Sequence, residues 1–344
     1  MFAMLAGPWP RVSVDGTRLE ELEAGLAEGR VPVAAVEAAV ERLVAEAIAA
    51  QAEAGMGLLT DGGVRWADPG RALLGAIRAG DVGPDGMLVR AWRAAADLVE
   101  APVAAVITGP WTLALAEVGG WGDASVLPGQ AGELADRLAG ELEALAAAGC
   151  AVVVVEEPAA VAIGEDTLAR GGFARAQRRL LRRTPDLHAM LAITGGSAAA
   201  AGPETVFAAP YASFLFDLIA GPDNWSLVRA APPDRGIVCA ALATGGGGED
   251  VDQAPQLVWA AHYAASAGGR GLERVGLANA SPLDRLAPSD AARALHAITR
   301  ATAFATMPAA QAIAAGLDKR TFTSNPYAGP FAGPSTDGNR GEGP

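Results

Sequence analysis

The sequence predicts a single-domain α/β protein with a (β/α)₈ TIM barrel over residues 1–310. Eight short apolar segments alternate with helical segments, and a glycine, a proline or a polar residue follows most of the apolar segments. This alternation favours a parallel sheet with right-handed crossovers, and eight such units close most naturally into a barrel. A doubly wound open sheet is the alternative. No Gly-x-Gly-x-x-Gly turn follows the first predicted strand, so we expect no nucleotide cofactor.

Each predicted strand is a short apolar run, and each predicted helix has apolar residues at three- and four-residue spacing. The predicted strands are 2–6, 57–60, 103–108, 150–157, 187–194, 213–218, 237–243 and 275–278. The predicted helices are 18–28, 35–55, 67–79, 88–99, 129–148, 173–183, 223–230, 253–267 and 288–304. The Gly/Pro-rich segment 311–344 lacks either pattern, so we expect a poorly ordered tail there.

Charge and hydropathy exclude several classes of function. The formal net charge of −13 argues against nucleic-acid binding, which needs a basic surface. No apolar run is long enough for a membrane span, and the start of the chain lacks the basic flank of a secretory signal. We therefore expect a cytoplasmic protein that binds small molecules.

Two glutamates follow the most apolar predicted strand. Four valines at 152–155 form a run typical of a strand buried on both faces, and Glu156, Glu157 and Pro158 come next. The carboxyl ends of barrel strands are where ligands bind. Because adjacent strand residues point to opposite faces, only one glutamate need face a cleft. Both glutamates could also simply mark a strand that reaches solvent.

Three other polar residues lie in or after apolar segments. Asp217 ends one predicted strand, and His188 lies near the middle of another, where it is either a core residue or a functional one. We predict that Glu156, His188 and Asp217 converge on one barrel mouth as catalytic residues for proton transfer, or as ligands of a metal. Asp61 lies in a glycine turn, where it either joins the site and binds substrate or caps the turn.

Tryptophans lie beside three of the predicted strand ends. We expect Trp9, Trp66 and Trp111 to wall a pocket for an apolar or ring-shaped ligand, or to pack in the core at the bases of the loops. With Asp61 and Glu157, Trp9 and Trp111 complete the predicted substrate-binding set.

Four motifs together resemble the catalytic barrel of cobalamin-independent methionine synthase, over residues 3 to 305. Residues 7–11 (Gly-Pro-Trp-Pro-Arg) resemble a first-strand Gly-Ser-x-Pro-Arg, and residues 61–63 (Asp-Gly-Gly) resemble Asp-Gly-Glu. Residues 109–112 (Gly-Pro-Trp-Thr) match a Gly-Pro-x-Thr turn, and residues 155–159 (Val-Glu-Glu-Pro-Ala) match Ile-Asp-Glu-Pro-Ala. The resemblance implies the same barrel, which uroporphyrinogen decarboxylase relatives share.

The resemblance also implies S-methyl or S-alkyl transfer to a small thiol such as homocysteine. In the family, a zinc ion held by His, Cys, Glu and Cys activates the thiol, and the methyl donor is a methyltetrahydrofolate polyglutamate. The corresponding positions here are His188, Met190, Asp217 and Ser281, so both thiolates are replaced and the implied zinc site is degenerate. Glu156 replaces the aspartate of the fourth motif.

Two further hypotheses stay open at this point. A barrel that has lost catalysis could serve as a binding or regulatory partner of a methyltransferase or a corrinoid protein. A metal-free lyase or decarboxylase could instead use the carboxylates alone, as other barrels do.

Overall fold

The computed structural model describes residues 1–120, 126–244 and 253–322, and it has a TIM-barrel-like α/β fold. Seven parallel strands form one sheet in the order β1-β7-β6-β5-β4-β3-β2. The strands are β1 (Phe2–Ala3), β2 (Ala105–Thr108), β3 (Val152–Glu156), β4 (His188–Ile193), β5 (Ser213–Asp217), β6 (Gly236–Leu242) and β7 (Val275–Asn279). Each of them lies within a predicted strand to within one residue, because the apolar runs are short and bounded by turns.

The predicted second strand forms only isolated bridges. Leu58 bridges Met4 beyond the end of β1, and Leu59 bridges Val103 before β2, both in parallel. The amides of Leu58 and Leu59 donate to Ala3 (3.3 Å) and Pro102 (2.9 Å). Residues 57–59 therefore connect the two edge strands of the sheet without forming a regular strand.

Twelve helices surround this sheet in the described part of the chain. They are α1 (Leu19–Ala27), α2 (Val33–Glu53), α3 (Pro69–Ala79), α4 (Met87–Ala96), α5 (Pro110–Glu117), α6 (Leu127–Ala147), α7 (Thr167–Leu181), α8 (Pro203–Val206), α9 (Trp225–Ala230), α10 (Ala254–Ser266), α11 (Pro288–Thr306) and α12 (Ala309–Ala314). None of them is long and apolar enough to cross a membrane.

The helix predictions differ from the structure at two places that concern the site. The α7 helix begins at Thr167 rather than at residue 173, because the Asp166 side chain caps it by accepting the amides of Leu168 (2.8 Å) and Ala169 (3.1 Å). The α5 helix was not predicted. From the sequence, Pro110 is interpreted as the residue that ends the preceding strand. Proline is also favoured at the first position of a helix, and α5 begins there.

Small side chains fill the inside of the curled sheet. The inner cluster has six alanines among its twelve buried residues, and its larger members include Met4, Val154, Met190, Leu215 and Val238. A separate and larger cluster packs the outer face of the sheet against the helices. Because half of these inner side chains are alanines, a cavity remains at each end of the sheet.

The α12 helix crosses the predicted boundary at residue 310, and a 3₁₀ turn follows it at Lys319–Phe322. The rest of the predicted tail, residues 323–344, lies outside the described residues.

Candidate active site

A cavity of about 260 Å³ lies at the carboxyl ends of the strands. Met4, Val154 and Leu215 of the inner cluster contribute to its wall. Its acidic and hydroxyl side chains come from several different strand ends and loops: Thr60, Asp61, Thr108, Glu156, Thr194 and Asp284. Groups from separate segments thus meet at the edge of the sheet where barrel enzymes carry out their chemistry.

Glu156 is the last residue of β3, and its side chain faces this cavity. In the sheet it pairs with Thr108 of β2 and Ala192 of β4. No side chain or amide in the described ranges hydrogen-bonds its carboxyl group. Burial, together with the nearby charge of Asp61, raises the pKa of Glu156 to about 7. A carboxyl group in this state can take up or release a proton near neutral pH.

Asp61 faces the same cavity from the loop after residues 57–60. Its Oδ1 accepts the amide of Gly63 (2.9 Å), and its Oδ2 lies 3.5 Å from Nε of Arg65. Burial raises the pKa of Asp61, whereas the Gly63 amide and the Arg65 charge oppose the rise. Asp61 therefore caps the glycine turn and also lines the cavity, so the two predicted positions are compatible.

The cavity carries more negative than positive charge. Arg11 lies in its wall, but two of its guanidinium nitrogens bind the carboxylate of Glu23, at 2.6 and 3.0 Å. Arg11 is therefore paired, as Asp61 is with Arg65, and Glu156 and Asp284 account for the excess of negative charge. This balance favours a neutral or cationic ligand over an anion.

Only one of the three tryptophans reaches the cavity. Trp66 lines it, whereas Trp9 (2% exposed) and Trp111 (0% exposed) are buried in the outer core. Trp9 and Trp111 therefore pack in the core at the bases of the loops, the second of their two predicted positions, and do not wall this cavity. Trp111 lies in the first turn of α5 and packs edge-on against Phe173, 6.1 Å between ring centroids. The sequence signal for Trp66 is its position five residues after Asp61, in the same loop.

Glu157 does not face the cavity, so the structure does not bring it together with Asp61 and Glu156 as predicted. Its side chain is fully buried, and it accepts the amides of Trp111 (2.9 Å) and Thr112 (2.8 Å), the Thr112 hydroxyl (2.7 Å) and Nε2 of Gln177 (2.6 Å). It thus caps the amino end of α5, where a carboxylate is favoured. A side chain on Gly109 would overlap the Glu157 carboxyl group, which explains the glycine there.

His188 lies at the opposite end of the sheet from Glu156. It is the first residue of β4 and pairs with Val152, the first residue of β3, whereas Glu156 pairs with Ala192. The four-residue offset corresponds to about 13 Å along a strand. The predicted convergence of His188 with Glu156 is therefore wrong. Because the strands are parallel, a residue at the start of β4 lies at the amino end of the sheet, whereas Glu156 at the end of β3 lies at the carboxyl end.

Asp217 ends β5 at the same edge of the sheet as Glu156, but its carboxylate is used within the fold. Oδ1 accepts the amides of Ile219 (3.0 Å) and Ala220 (2.8 Å), and Oδ2 accepts the amide of Gly195 (3.1 Å). Its side chain is 2% exposed and does not line the cavity. Asp217 therefore holds together the loops that follow β4 and β5.

The four residues at the implied zinc positions do not fit a zinc site. Met190 is buried inside the sheet, His188 lies at its amino end, and Asp217 is occupied by backbone amides. Ser281 follows β7 in the sequence. Across residues 1–120, 126–244 and 253–322, no three His, Cys, Asp or Glu side chains are grouped to hold a metal ion. A neutral thioether and a hydroxyl are in any case weak replacements for thiolates.

No family model matches the chain, and no curated protein matches its sequence. Solved structures match it in fold. A putative vitamin B12-independent methionine synthase from Listeria monocytogenes superposes with a TM-score of 0.66 at 14% identity, over 88% of this chain and 97% of that one. A B12-independent methionine synthase from Shewanella sp. W3-18-1, in complex with selenomethionine, gives a TM-score of 0.67 at 12% identity, over 88% and 96%.

Both similarities extend over nearly the whole length of the two structures, and they agree with the parallel, TIM-barrel-like sheet described above. The chain therefore has the fold of the B12-independent methionine synthase structures.

Proposed function

We propose that the chain is a methionine-synthase-like enzyme that transfers a methyl or other alkyl group to a small thiol such as homocysteine, with Glu156 as its general base. The observation that supports this most directly is the position of the Glu156 carboxyl group and its raised pKa. This carboxyl group is half-buried in a cavity at the carboxyl ends of the strands, accepts no hydrogen bond in the described part of the chain, and has a pKa of about 7.

The reaction needs a thiolate, because the thiolate and not the thiol is the nucleophile. In the proposed step, the carboxylate of Glu156 takes the proton from the thiol. The sulfur then forms a bond to the methyl carbon of the donor, while the bond between that carbon and the donor breaks and its electron pair leaves with the donor. A base with a pKa close to the working pH is well suited to the proton transfer.

The size and charge of the cavity support a small acceptor. Its volume of about 260 Å³ is just below the range of about 300–1,000 Å³ typical of drug-sized ligands. Asp61 and Asp284 could receive an ammonium group, such as that of an amino acid. The bound molecule in the Shewanella structure, selenomethionine, is itself an amino acid.

The proposal routes no step through zinc, because the residues at the implied metal positions do not converge. We also propose that the sheet closes into a full barrel. The bridges of Leu58 to Met4 and of Leu59 to Val103 support a complete (β/α)₈ barrel in which residues 57–59 act as the eighth strand.

A turnover assay tests the proposal. The purified protein is incubated with homocysteine and, in separate reactions, an N-methyl folate or a sulfonium methyl donor, and methionine is measured by mass spectrometry. We expect methionine from the wild type and at least a hundredfold lower rate from Glu156→Gln.

Glu141→Gln is the matched control. Glu141 is also buried, and burial also raises its pKa, but it lies on α6 and does not line the cavity. Its variant should turn over at the wild-type rate. No methionine with either donor, or equal rates in Glu156→Gln and wild type, would refute the proposed role of Glu156.

A further inference from the structure

A second and larger cavity, of about 560 Å³, lies at the amino ends of the strands. Its lining includes the first residues of five strands: Phe2 of β1, Val152 of β3, His188 of β4, Ser213 of β5 and Gly236 of β6. In barrel enzymes this end of the sheet usually contributes to stability rather than to ligand binding. An open cavity here, about twice the volume of the candidate active site, therefore needs an explanation of its own.

Most of the side chains around this cavity are apolar. Phe2, Leu58, Val152, Met190 and Val238 all line it. Its volume falls within the range of about 300–1,000 Å³ found for small-molecule sites, which are also mostly apolar. The two cavities share no lining residue: Met4, Val154 and Leu215 face the active-site cavity, while Met190 and Val238 face this one.

Glycines in the wall allow this arrangement. A Cβ atom on Gly236 would lie 2.9 Å from Cβ of Ser213, and one on Gly57 would lie 2.9 Å from Cβ of Phe2. Side chains at these two positions would displace Ser213 and Phe2 from their places in the wall.

One polar pair interrupts the apolar wall. Nε2 of His188 lies 2.8 Å from Oγ of Ser213, and Ser213 is 3% exposed. His188 is an exposed residue at the start of β4, and the partial burial of its ring lowers its pKa. Within the described ranges no group hydrogen-bonds Nδ1 of His188. Because His188 is exposed, its Nδ1 is open to water or to a ligand that enters the cavity.

The charges at the rim of the cavity cancel. Asp234 lies 3.4 Å from Nε of Arg235, and Glu273 lies 3.4 Å from a terminal nitrogen of Arg274. Two acidic and two basic residues leave no net charge to select an ion, so the apolar wall and the His188–Ser213 pair dominate recognition.

We propose that this cavity is a second ligand site, which binds a neutral and largely apolar small molecule whose single polar group hydrogen-bonds the His188–Ser213 pair. The site lies at the opposite end of the sheet from Glu156 and does not depend on the proposed methyl transfer.

Fluorescence titration of the full-length protein with N-phenyl-1-naphthylamine tests this site, because the probe is neutral, apolar and carries one N–H group. We expect saturable binding with one site per chain. Val152→Trp fills the cavity and should weaken binding at least tenfold. Ser213→Ala is a smaller change that removes one hydroxyl and should weaken binding about three- to tenfold.

Ala192→Phe is the matched control, because Ala192 lines the active-site cavity and not this one. Its affinity for the probe should equal that of the wild type, and circular dichroism checks that each variant is folded. Absence of saturable binding of both the naphthylamine and indole would overturn the proposal. So would wild-type affinity in Ser213→Ala and Val152→Trp, or loss of binding in Ala192→Phe alone, which would place the probe in the active-site cavity.

Discussion

The carboxyl groups of Glu156 and Asp61 face one cavity, and the charge of Asp61 adds to burial in raising the pKa of Glu156 to about 7. Asp61 is itself held by the Gly63 amide and the Arg65 guanidinium, which favour its charged form. The two carboxyl groups therefore differ in their interactions. Asp61 accepts a hydrogen bond and lies beside a positive charge, whereas the Glu156 carboxyl group accepts no hydrogen bond in the described part of the chain. This difference makes Glu156 the better candidate for proton transfer.

The pH dependence of the reaction should report Glu156. A general base must be deprotonated, so kcat/KM should rise about tenfold per pH unit below pH 7 and level off above it. Asp61→Asn removes the neighbouring charge, so it should shift the midpoint of this rise to lower pH. Steady-state kinetics from pH 5 to 9 measure both profiles. A midpoint that Asp61→Asn leaves in place would contradict the coupling between the two carboxyl groups.

The stability of the protein should also depend on Glu156. Its pKa rises from 4.5 to about 7 on folding, so between these values the folded state binds more protons than the unfolded state. The free energy of unfolding therefore falls as pH rises through this window. Glu156→Gln removes the effect and should stabilise the protein at pH 8 by up to about 3 kcal/mol, with little change at pH 4.5.

Urea denaturation of wild type and Glu156→Gln at the two pH values measures this difference. Glu143→Gln is the control, because Glu143 is an exposed residue paired with Arg183 and should differ little from wild type at either pH. Equal stability of Glu156→Gln and wild type at pH 8 would mean that the Glu156 carboxylate is well solvated.

Glu157 should matter for stability rather than for substrate binding. Glu157→Ala leaves the donors on Trp111, Thr112 and Gln177 without their acceptor, and we expect a loss on the order of 3 kcal/mol in the free energy of unfolding. Urea denaturation measures this loss. As a control, Glu143→Ala changes an exposed residue and should alter the free energy of unfolding by less than about 0.5 kcal/mol. A stable Glu157→Ala protein with a raised KM would instead place Glu157 in the substrate site.

The protein should not retain stoichiometric zinc. His188, Met190 and Asp217 lie apart or are already bonded, and the described part of the chain has no other suitable group of ligands. Elemental analysis after incubation with excess zinc and desalting measures this. One zinc per chain that disappears in Asp217→Ala would show that the loops rearrange to form a site.

The sequence alone was enough for most of the fold, because strands and helices leave local patterns. The four valines before Glu156 form the predicted strand, whereas the predicted strand before Asp61 forms only isolated bridges. Both Glu156 and Asp61 nevertheless face one cavity at the same edge of the sheet. Two of the four motifs that resemble methionine synthase, residues 61–63 and 155–159, contain Asp61 and Glu156, and the fold similarity agrees with the resemblance. Short elements such as α5 were missed, since a proline can end a strand or begin a helix.

The tertiary structure decided which of these residues share a site. Glu156 and Glu157 are adjacent in sequence, but the alternation of side chains along β3 sends the first into the cavity and the second beneath α5. His188 lies in a strand as expected, yet pairing with Val152 places it at the other end of the sheet. The sequence by itself determined the elements and the end of the sheet to which Glu156 belongs. The residues that lie near Glu156 were decided only by strand register and by the packing of the loops. Both depend on contacts between segments that are distant in the sequence.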